Sequence, residues 1–487
     1  MNVLNNAVVP NRQERPIKVV QFGEGNFLRA FVDWMLQELA DAGIYESDVA
    51  VVQPLDFGRL KELAGQDGLY TIVQEGVKNG EFVTKTQVID VLRKFVNPYE
   101  DYNAYLKLAE VDTLEFVFSN TTESGIVLDE TDRIEHTPPK SFPGKLLAFL
   151  YHRYQSFNGA MDKGLFIVPC ELIDDNGDEL HKCVRKLAEL HNLDADFINW
   201  LDNANTFTNT LVDRIVPGYP AARINELTEK LGYIDNNIVM GEVFHLWVIE
   251  DRNGIGQILD GGKIGLNMVF TDDIKPYKMQ KVRILNGLHT LMVPVAYLKG
   301  VDTVGDTMQD ELLLKFIKNT ADLEIIPATE HYLPKETLTL FANEIYDRFS
   351  NPQVHHELIS ISLNSTAKFK SRLLPTALDY VKMNGKFPSH MAFSLASMLV
   401  FFKGLRKGEK INLQDEQQFL DFYHDQWEQF NANQIDVYGV VQAFLGLTSH
   451  WEQDLNEIPG LTEQITEHVN AILADGMEIA LTNFLAE

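Results

Sequence analysis

The first regular pattern in the chain is the apolar-rich run Ile17 to Phe22, entered after Pro16 and ended by Gly23, which predicts a buried strand. From Asn26 the spacing changes. Phe27, Ala30, Phe31, Met35, Leu36 and Leu39 recur at helical intervals until Ala42-Gly43 closes the element. Val49 to Val52 is a second buried-strand run, stopped by Pro54. Strand, helix and strand make one βαβ unit, and the right-handed crossover rule makes it the start of a parallel sheet. Leu114 to Ser119, Leu165 to Pro169 and Val243 to Ile249 read as further strands of that sheet, separated by helical patterns at Lys145 to Gln155 and Leu180 to His191. Tyr70 to Gln74 and Glu81 to Val88 flank Lys78-Asn79-Gly80 and predict a hairpin.

Long helical periods replace strands after residue 275: Tyr277 to Tyr297, Glu311 to Asn319, Glu336 to Phe349 and Ser389 to Phe402. The expected class is α/β, with a dinucleotide-type domain over 1–275 and a mostly α-helical domain over 276–487. A chain of 487 residues exceeds the size at which one core keeps growing, which agrees with two domains.

Charge narrows the partners. With 42 basic and 70 acidic side chains the net charge is −28, a field that repels phosphate backbones and anionic lipid. Nucleic acid and membrane are therefore not expected as partners, and a small molecule is. The two cysteines, Cys170 and Cys183, are too few for a disulfide framework or a Cys-rich zinc site, and they fit a reducing compartment. The N-terminus lacks a basic region followed by an apolar core, so a cytoplasmic location is expected. Nothing in the sequence speaks to oligomeric state.

Between the first strand and first helix lies Gly23-Glu24-Gly25-Asn26-Phe27-Leu28-Arg29. There Gly23 permits a sharp turn, and Gly25 lets backbone amides approach a pyrophosphate favoured by the helix N-terminus. Leu28 stands where the full fingerprint has a third glycine, so an ordinary strand-to-helix turn stays open for this segment alone. Asn26, Phe27 and Arg29 are further candidates for the cofactor site. Asp56, after the second strand, is the candidate for the ribose hydroxyls, and the lack of an arginine before Arg59 favours NAD over NADP. Asn120, Thr121 and Glu123 follow a buried strand at the carboxyl edge of the sheet, where ligands of such folds bind.

The segment from Lys281 carries the candidate chemistry. At about 100° per residue, Lys281, Asn286 and His289 fall at about 0°, 140° and 80° around a helix otherwise apolar beyond them. Ketone reduction needs a hydride at carbon and a proton at oxygen, and a lysine supplies the proton once its usual value of about 10.4 is lowered. Lys281 is the candidate acid, Asn286 the oxyanion donor and His289 the partner of a neighbouring hydroxyl. Arg283 points elsewhere on this geometry and reads as structural.

These motifs, Gly23-x-Gly25-x-Phe27-x-Arg29, Val212-Asp213-Arg214-Ile215 and Lys281-x-Arg283-x-Leu285-Asn286-x-x-His289, together resemble the polyol-specific long-chain dehydrogenases over nearly the whole chain. The resemblance implies a Rossmann-type domain, a helical second domain, NAD as cofactor, no metal, and a lysine acid/base. It places Lys281, Asn286 and His289 in catalysis, and Asp213 and Lys368 on the substrate. Where mannitol dehydrogenases carry an Asp-Asn pair after a cysteine, this chain has Glu171-Leu172, leaving Asn176 as the candidate second oxyanion donor. Where they carry an arginine and a histidine before the substrate lysine, it has Ser360 and Leu363. Lys368, Lys370 and Arg372 crowd one segment, which points to a carboxylate pocket and a sugar-acid substrate, with a solvated basic stretch having only Lys368 inside staying open for Lys370 and Arg372. Relatives acting on another sugar acid or on mannitol share the chemistry. A dinucleotide sensor without turnover is the alternative of a different class. His355-His356-Glu357, the only suggestion of a metal hydrolase, reads as surface, because adjacent histidines rarely point to one ion.

Overall fold

The strands before residue 275 are, in chain order, β1 (Ile17–Phe22), β2 (Asp48–Val52), β3 (Tyr70–Lys78), β4 (Glu81–Ile89), β5 (Leu92–Val96), β6 (Phe116–Ser119), β7 (Phe166–Pro169), β8 (Thr206–Phe207), β9 (Thr210–Asp213), β10 (Val239–Glu242), β11 (Leu246–Glu250) and β12 (Met268–Thr271). They come from a computed structural model that describes residues 1–122 and 124–486. The chain divides into two units, Met1–Glu75 with Val83–Ile274, and Gly76–Phe82 with Lys275–Glu487.

A six-stranded sheet of order β5-β2-β1-β6-β7-β8 runs parallel throughout. Alternate residues explain its burial. Val19, Val49, Val51, Phe116 and Phe118 enter one apolar cluster, while Val20, Phe22, Ala50, Val52 and Val117 enter another on the opposite face. From β1 the chain winds outward through β2 and β5, then returns to the other side of β1 at β6. This is the Rossmann-type doubly wound order, and the reversal between β1 and β6 is where such sheets bind ligands.

Two expectations change. The run expected at Val243 to Ile249 does not extend this sheet; β11 lies between β12 and β9 in a separate three-stranded sheet, antiparallel to β9. An apolar run marks burial, not which sheet receives it. The helix expected from Asn26 is two pieces, Asn26–Ala30 and Val32–Asp41, broken at Phe31. The break is stable because its freed carbonyls find donors: Tyr70 Oη donates to Arg29 O at 2.8 Å, and Arg214 donates to Ala30 O.

The second unit is mostly helical, including Glu311–Thr320, Lys335–Phe349, Ser365–Arg372 and Ser389–Phe401. Its long first helix is not uniform. Lys275–Gln280 and Gly287–Lys299 are α-helical, and the six residues Lys281–Asn286 between them form a π turn. No helix among the described residues is long and apolar enough to cross a membrane.

Candidate functional site

In the first unit the ends of β1, β2 and β6 form the candidate cofactor cradle. Gly23 follows β1 at φ +121°, a conformation that favours glycine, and its amide donates to Val52 O at 3.0 Å. Gln21 secures the turn from below, with Nε2 donating to Gly23 O at 2.9 Å. Above Gly25, which caps the short helix Asn26–Ala30 in extended conformation, a Cβ would meet nothing within 4 Å. Its backbone is open to a ligand's close approach, as a dinucleotide pyrophosphate requires.

Several side chains assigned to the cofactor have other work. Arg29 is fully buried, and its guanidinium donates to Glu24 O at 3.2 Å, to Asn26 Oδ1 at 2.7 Å and to Asn237 O. It braces the turn instead of facing a phosphate. Phe27 stacks on Phe31 with centroids 4.9 Å apart and packs against the core. Asn120 Nδ2 donates to Cys170 O at 2.7 Å, and both the amide and hydroxyl of Thr121 donate to Glu171 Oε1 at 2.9 Å. Asp56 stands exposed after β2. Glu123 lies outside the described residues.

The loop after β6 is thus organised by Glu171, which the sequence treated only as a departure. Ser119 Oγ donates to its other oxygen at 3.0 Å. Burial raises the Glu171 carboxyl, and the donors from Thr121 and Ser119 oppose that rise. Asn176 is not a substrate donor as placed. Its Nδ2 donates to the carbonyls of Pro169 and Glu171 at 3.1 and 3.0 Å, its Oδ1 accepts from Thr210 N at 2.9 Å, and it is buried. Asp213 ends β9 opposite Leu246 and is buried.

In the second unit the π turn changes the geometry expected at 100° per residue. Its wider i to i+5 pattern puts residue i+5 near residue i, so Lys281 and Asn286 lie closer on one side than an α-helix would hold them. Among the described residues nothing hydrogen-bonds the Asn286 carboxamide; its backbone carbonyl accepts from Thr290 Oγ1 at 3.0 Å. Arg283 faces the core, donating to Asp379 Oδ2 at 2.6 Å and Ala328 O at 3.1 Å.

Gly287 ends the π turn where the segment ending at Arg372 passes. A Cβ there would sit 3.3 Å from Leu373 Cδ2 and in ordinary contact 3.8 Å from Arg372 O, so the two segments run close together. The result is a cationic group around His289. Arg372 Nη1 donates to Thr290 Oγ1 at 3.4 Å, and Lys368 Nζ donates to Ile361 O at 2.9 Å. The His289 ring lies on Phe349 at 4.3 Å and meets His356 edge-on at 5.2 Å. Burial first, then the charges of His356, Arg348, Arg372 and Lys368, push His289 down from 6.5 to about 3.

His289 therefore binds fewer protons folded than unfolded. Its contribution to stability is present above its unfolded value and is lost as pH falls from about 6.5 toward about 3. Melting temperatures of wild type and His289→Asn across that window should converge as pH drops, and parallel curves would contradict the burial of a neutral imidazole.

Helical spacing separates the three basic residues of Ser365–Arg372. Lys368 and Arg372, four apart, share a face; Lys370, two from either, takes the other and pairs with Glu452 at 2.8 Å. Lys370 is thus paired away from the face that Lys368 and Arg372 share. Lys370→Ala should leave the Michaelis constant of an anionic substrate within about twofold, as befits a surface pair. A large increase would return Lys370 to the pocket.

His356 is the residue that sequence reasoning set aside. His355 is exposed, 3.7 Å from Glu357, as a surface reading requires. His356 is instead turned inward, because the segment is pinned to 302–304 by Val304 N donating to His356 O at 2.9 Å and Leu358 N to Asp302 O at 2.8 Å. No periodic pattern announces such a pairing. Among the described residues, no group of three or more His, Cys, Asp or Glu is arranged to hold a metal ion.

Residues 17–259 match the family model of the mannitol dehydrogenase Rossmann domain, and residues 273–473 that of the mannitol dehydrogenase C-terminal domain. The chain is 43% identical over 484 residues to an altronate oxidoreductase of Bacillus subtilis (strain 168), covering 99% of this chain and 98% of that one. An altronate oxidoreductase of Enterobacter sp. (strain 638) is 43% identical over 482 residues, covering 99% of each chain. Among solved structures, a D-sorbitol dehydrogenase in substrate-free form matches with TM-score 0.78 at 23% identity, covering 99% of this chain and 100% of that one. The Pseudomonas fluorescens mannitol 2-dehydrogenase, solved as a ternary complex with NAD and D-mannitol, matches with TM-score 0.62 at 24% identity, over 97% and 95%. At such identities the two structures speak for the fold alone.

Proposed function

The chain belongs to the mannitol dehydrogenase family and is an oxidoreductase acting on CH-OH groups, and on that premise we propose that it interconverts D-tagaturonate and D-altronate with NAD. The observation that carries the substrate is the pair Lys368 and Arg372 bearing on a neutral His289, a concentration of positive charge in a chain of net charge −28. A neutral polyol has no need of it. Full-length relatives named for altronate supply the particular sugar acid.

The cofactor fits the first unit at three points. Gly23 makes the turn, the open space over Gly25 admits a pyrophosphate, and exposed Asp56 suits ribose hydroxyls while repelling a further phosphate. Arg59, the first arginine after β2, donates to Asn236 O at 3.0 Å, which agrees with NAD in preference to NADP. When bound, the nicotinamide supplies or takes the hydride at the carbinol carbon.

The chain's own residues manage charge and protons. In reduction Lys281 Nζ gives a proton to the ketone oxygen, so that hydride and proton together make the alcohol; in oxidation it takes the proton back. The Asn286 carboxamide donates to the same oxygen as negative charge grows there. His289, held neutral, bonds a neighbouring hydroxyl, and Lys368 with Arg372 takes the carboxylate. Ketone and carboxylate sit at opposite ends of the substrate's six-carbon chain. The groups reading them likewise come from different elements, Asn286 from the π turn and Lys368 with Arg372 from Ser365–Arg372.

The reading is tested by incubating D-tagaturonate with excess NADH and identifying the product by NMR. One D-altronate formed per NADH consumed supports it. NADH consumption with another product, or none with this ketone, would reject it.

A further inference from the structure

His356 is held in place by its backbone, in a setting charged from two helices. The pairing with 302–304 fixes the main chain on both sides of it. Its ring lies edge-on to His289 from Gly287–Lys299 and is acted on by the charge of Lys368, while Lys368 and Arg372 from Ser365–Arg372 and Arg348 from Lys335–Phe349 bear on His289. On its own segment His355 and Glu357 pair with each other in solvent. Asp415, which offsets part of the Lys368 charge, is tied to Thr366 by bonds of 3.1 and 2.9 Å. A half-buried imidazole beside Lys368 stays neutral until an anion joins them.

We propose that His356 is a specificity-determining residue for the substrate carboxylate, completing with Lys368 and Arg372 a subsite that a neutral ketose leaves unfilled. The inference rests on the sugar-acid reading above. Without substrate, burial and then the Lys368 charge hold His356 below its ordinary range. A carboxylate arriving among these groups offsets the cationic charge, so the free imidazole nitrogen takes a proton from solvent and donates it in a hydrogen bond to a carboxylate oxygen. Nothing is oxidised or reduced in this step. Because His356 binds a proton more readily in the complex than in the free enzyme, the acid binds best at lower pH, and its Michaelis constant rises as pH climbs. A neutral ketose lacks that dependence.

The test uses full-length enzyme with NADH, D-tagaturonate and D-tagatose, the same ketose without the carboxylate, from mildly acid to mildly alkaline pH. His356→Asn and His356→Gln should raise the Michaelis constant for tagaturonate about tenfold or more, as for a lost hydrogen bond to a charged group. The turnover number should stay within about twofold, NADH affinity should not change, and the pH slope of the tagaturonate constant should flatten. Equal losses on both ketoses, or a pH slope that survives in both variants, would overturn the inference while leaving the sugar-acid reading intact. A wild-type enzyme that reduces tagatose but not tagaturonate would overturn the reading, and the inference with it.

Discussion

Lys281→Ala should lose about 10²–10⁴-fold in turnover while its dissociation constant for NADH stays within about twofold. The magnitude is that of a positioned proton donor, about 3–5 kcal/mol of barrier. The separation between the two readouts follows from location. Lys281 opens the π turn of the second unit, whereas the candidate cofactor turn is built in the first from β1, β2 and β6. Stopped-flow turnover and fluorescence titration of NADH measure the two independently. Near-normal turnover in a folded variant would reject the lysine as the acid, and joint loss of turnover and NADH binding would mean that the fold had been damaged.

Arg372→Ala should raise the Michaelis constant for tagaturonate about thirty- to a thousandfold, the range for removing one partner of a desolvated charged pair. For D-tagatose the change should stay within about threefold. Arg372 is partly buried against Thr290, and burial lowers its guanidinium below the ordinary range, so its charge is poorly satisfied until an anion arrives. Lys370→Ala is the internal control, since it stands on the same short helix with its charge answered by Glu452. If Arg372 and Lys370 behaved alike, the carboxylate would be held elsewhere.

The parts of the fold readable in the sequence were those fixed by local pattern. β1, its glycine turn, β2 and the Asn79-Gly80 hairpin follow from apolar runs and residues suited to positive φ, and both Asn79 and Gly80 adopt it. What depended on distant partners was not readable. The break at Phe31 contains no proline or glycine; it exists because Tyr70 and Arg214 supply donors from elsewhere in the first unit. Arg29 matched a motif position, but its reach to Asn237 O makes it a brace. Asn176 likewise met a buried backbone before it could meet a substrate.

The site shows the same division. Lys281, Asn286 and His289 were proposed because polar residues interrupt an apolar helix, yet the π turn that alters their spacing carries no marker in residue type. Four-residue spacing alone separates Lys368 and Arg372 from Lys370. His356 could not be placed, since its inward turn is set by a pairing with residues fifty positions away.

The most direct measurement of the central claim is the ratio of kcat/KM for D-tagaturonate to that for D-fructuronate, D-tagatose and D-fructose, with NADH, in the wild-type enzyme. A sugar-acid subsite built on Lys368 and Arg372 predicts tagaturonate highest, with the neutral ketoses lower by about two orders of magnitude or more. A neutral ketose turned over as efficiently as tagaturonate would contradict it.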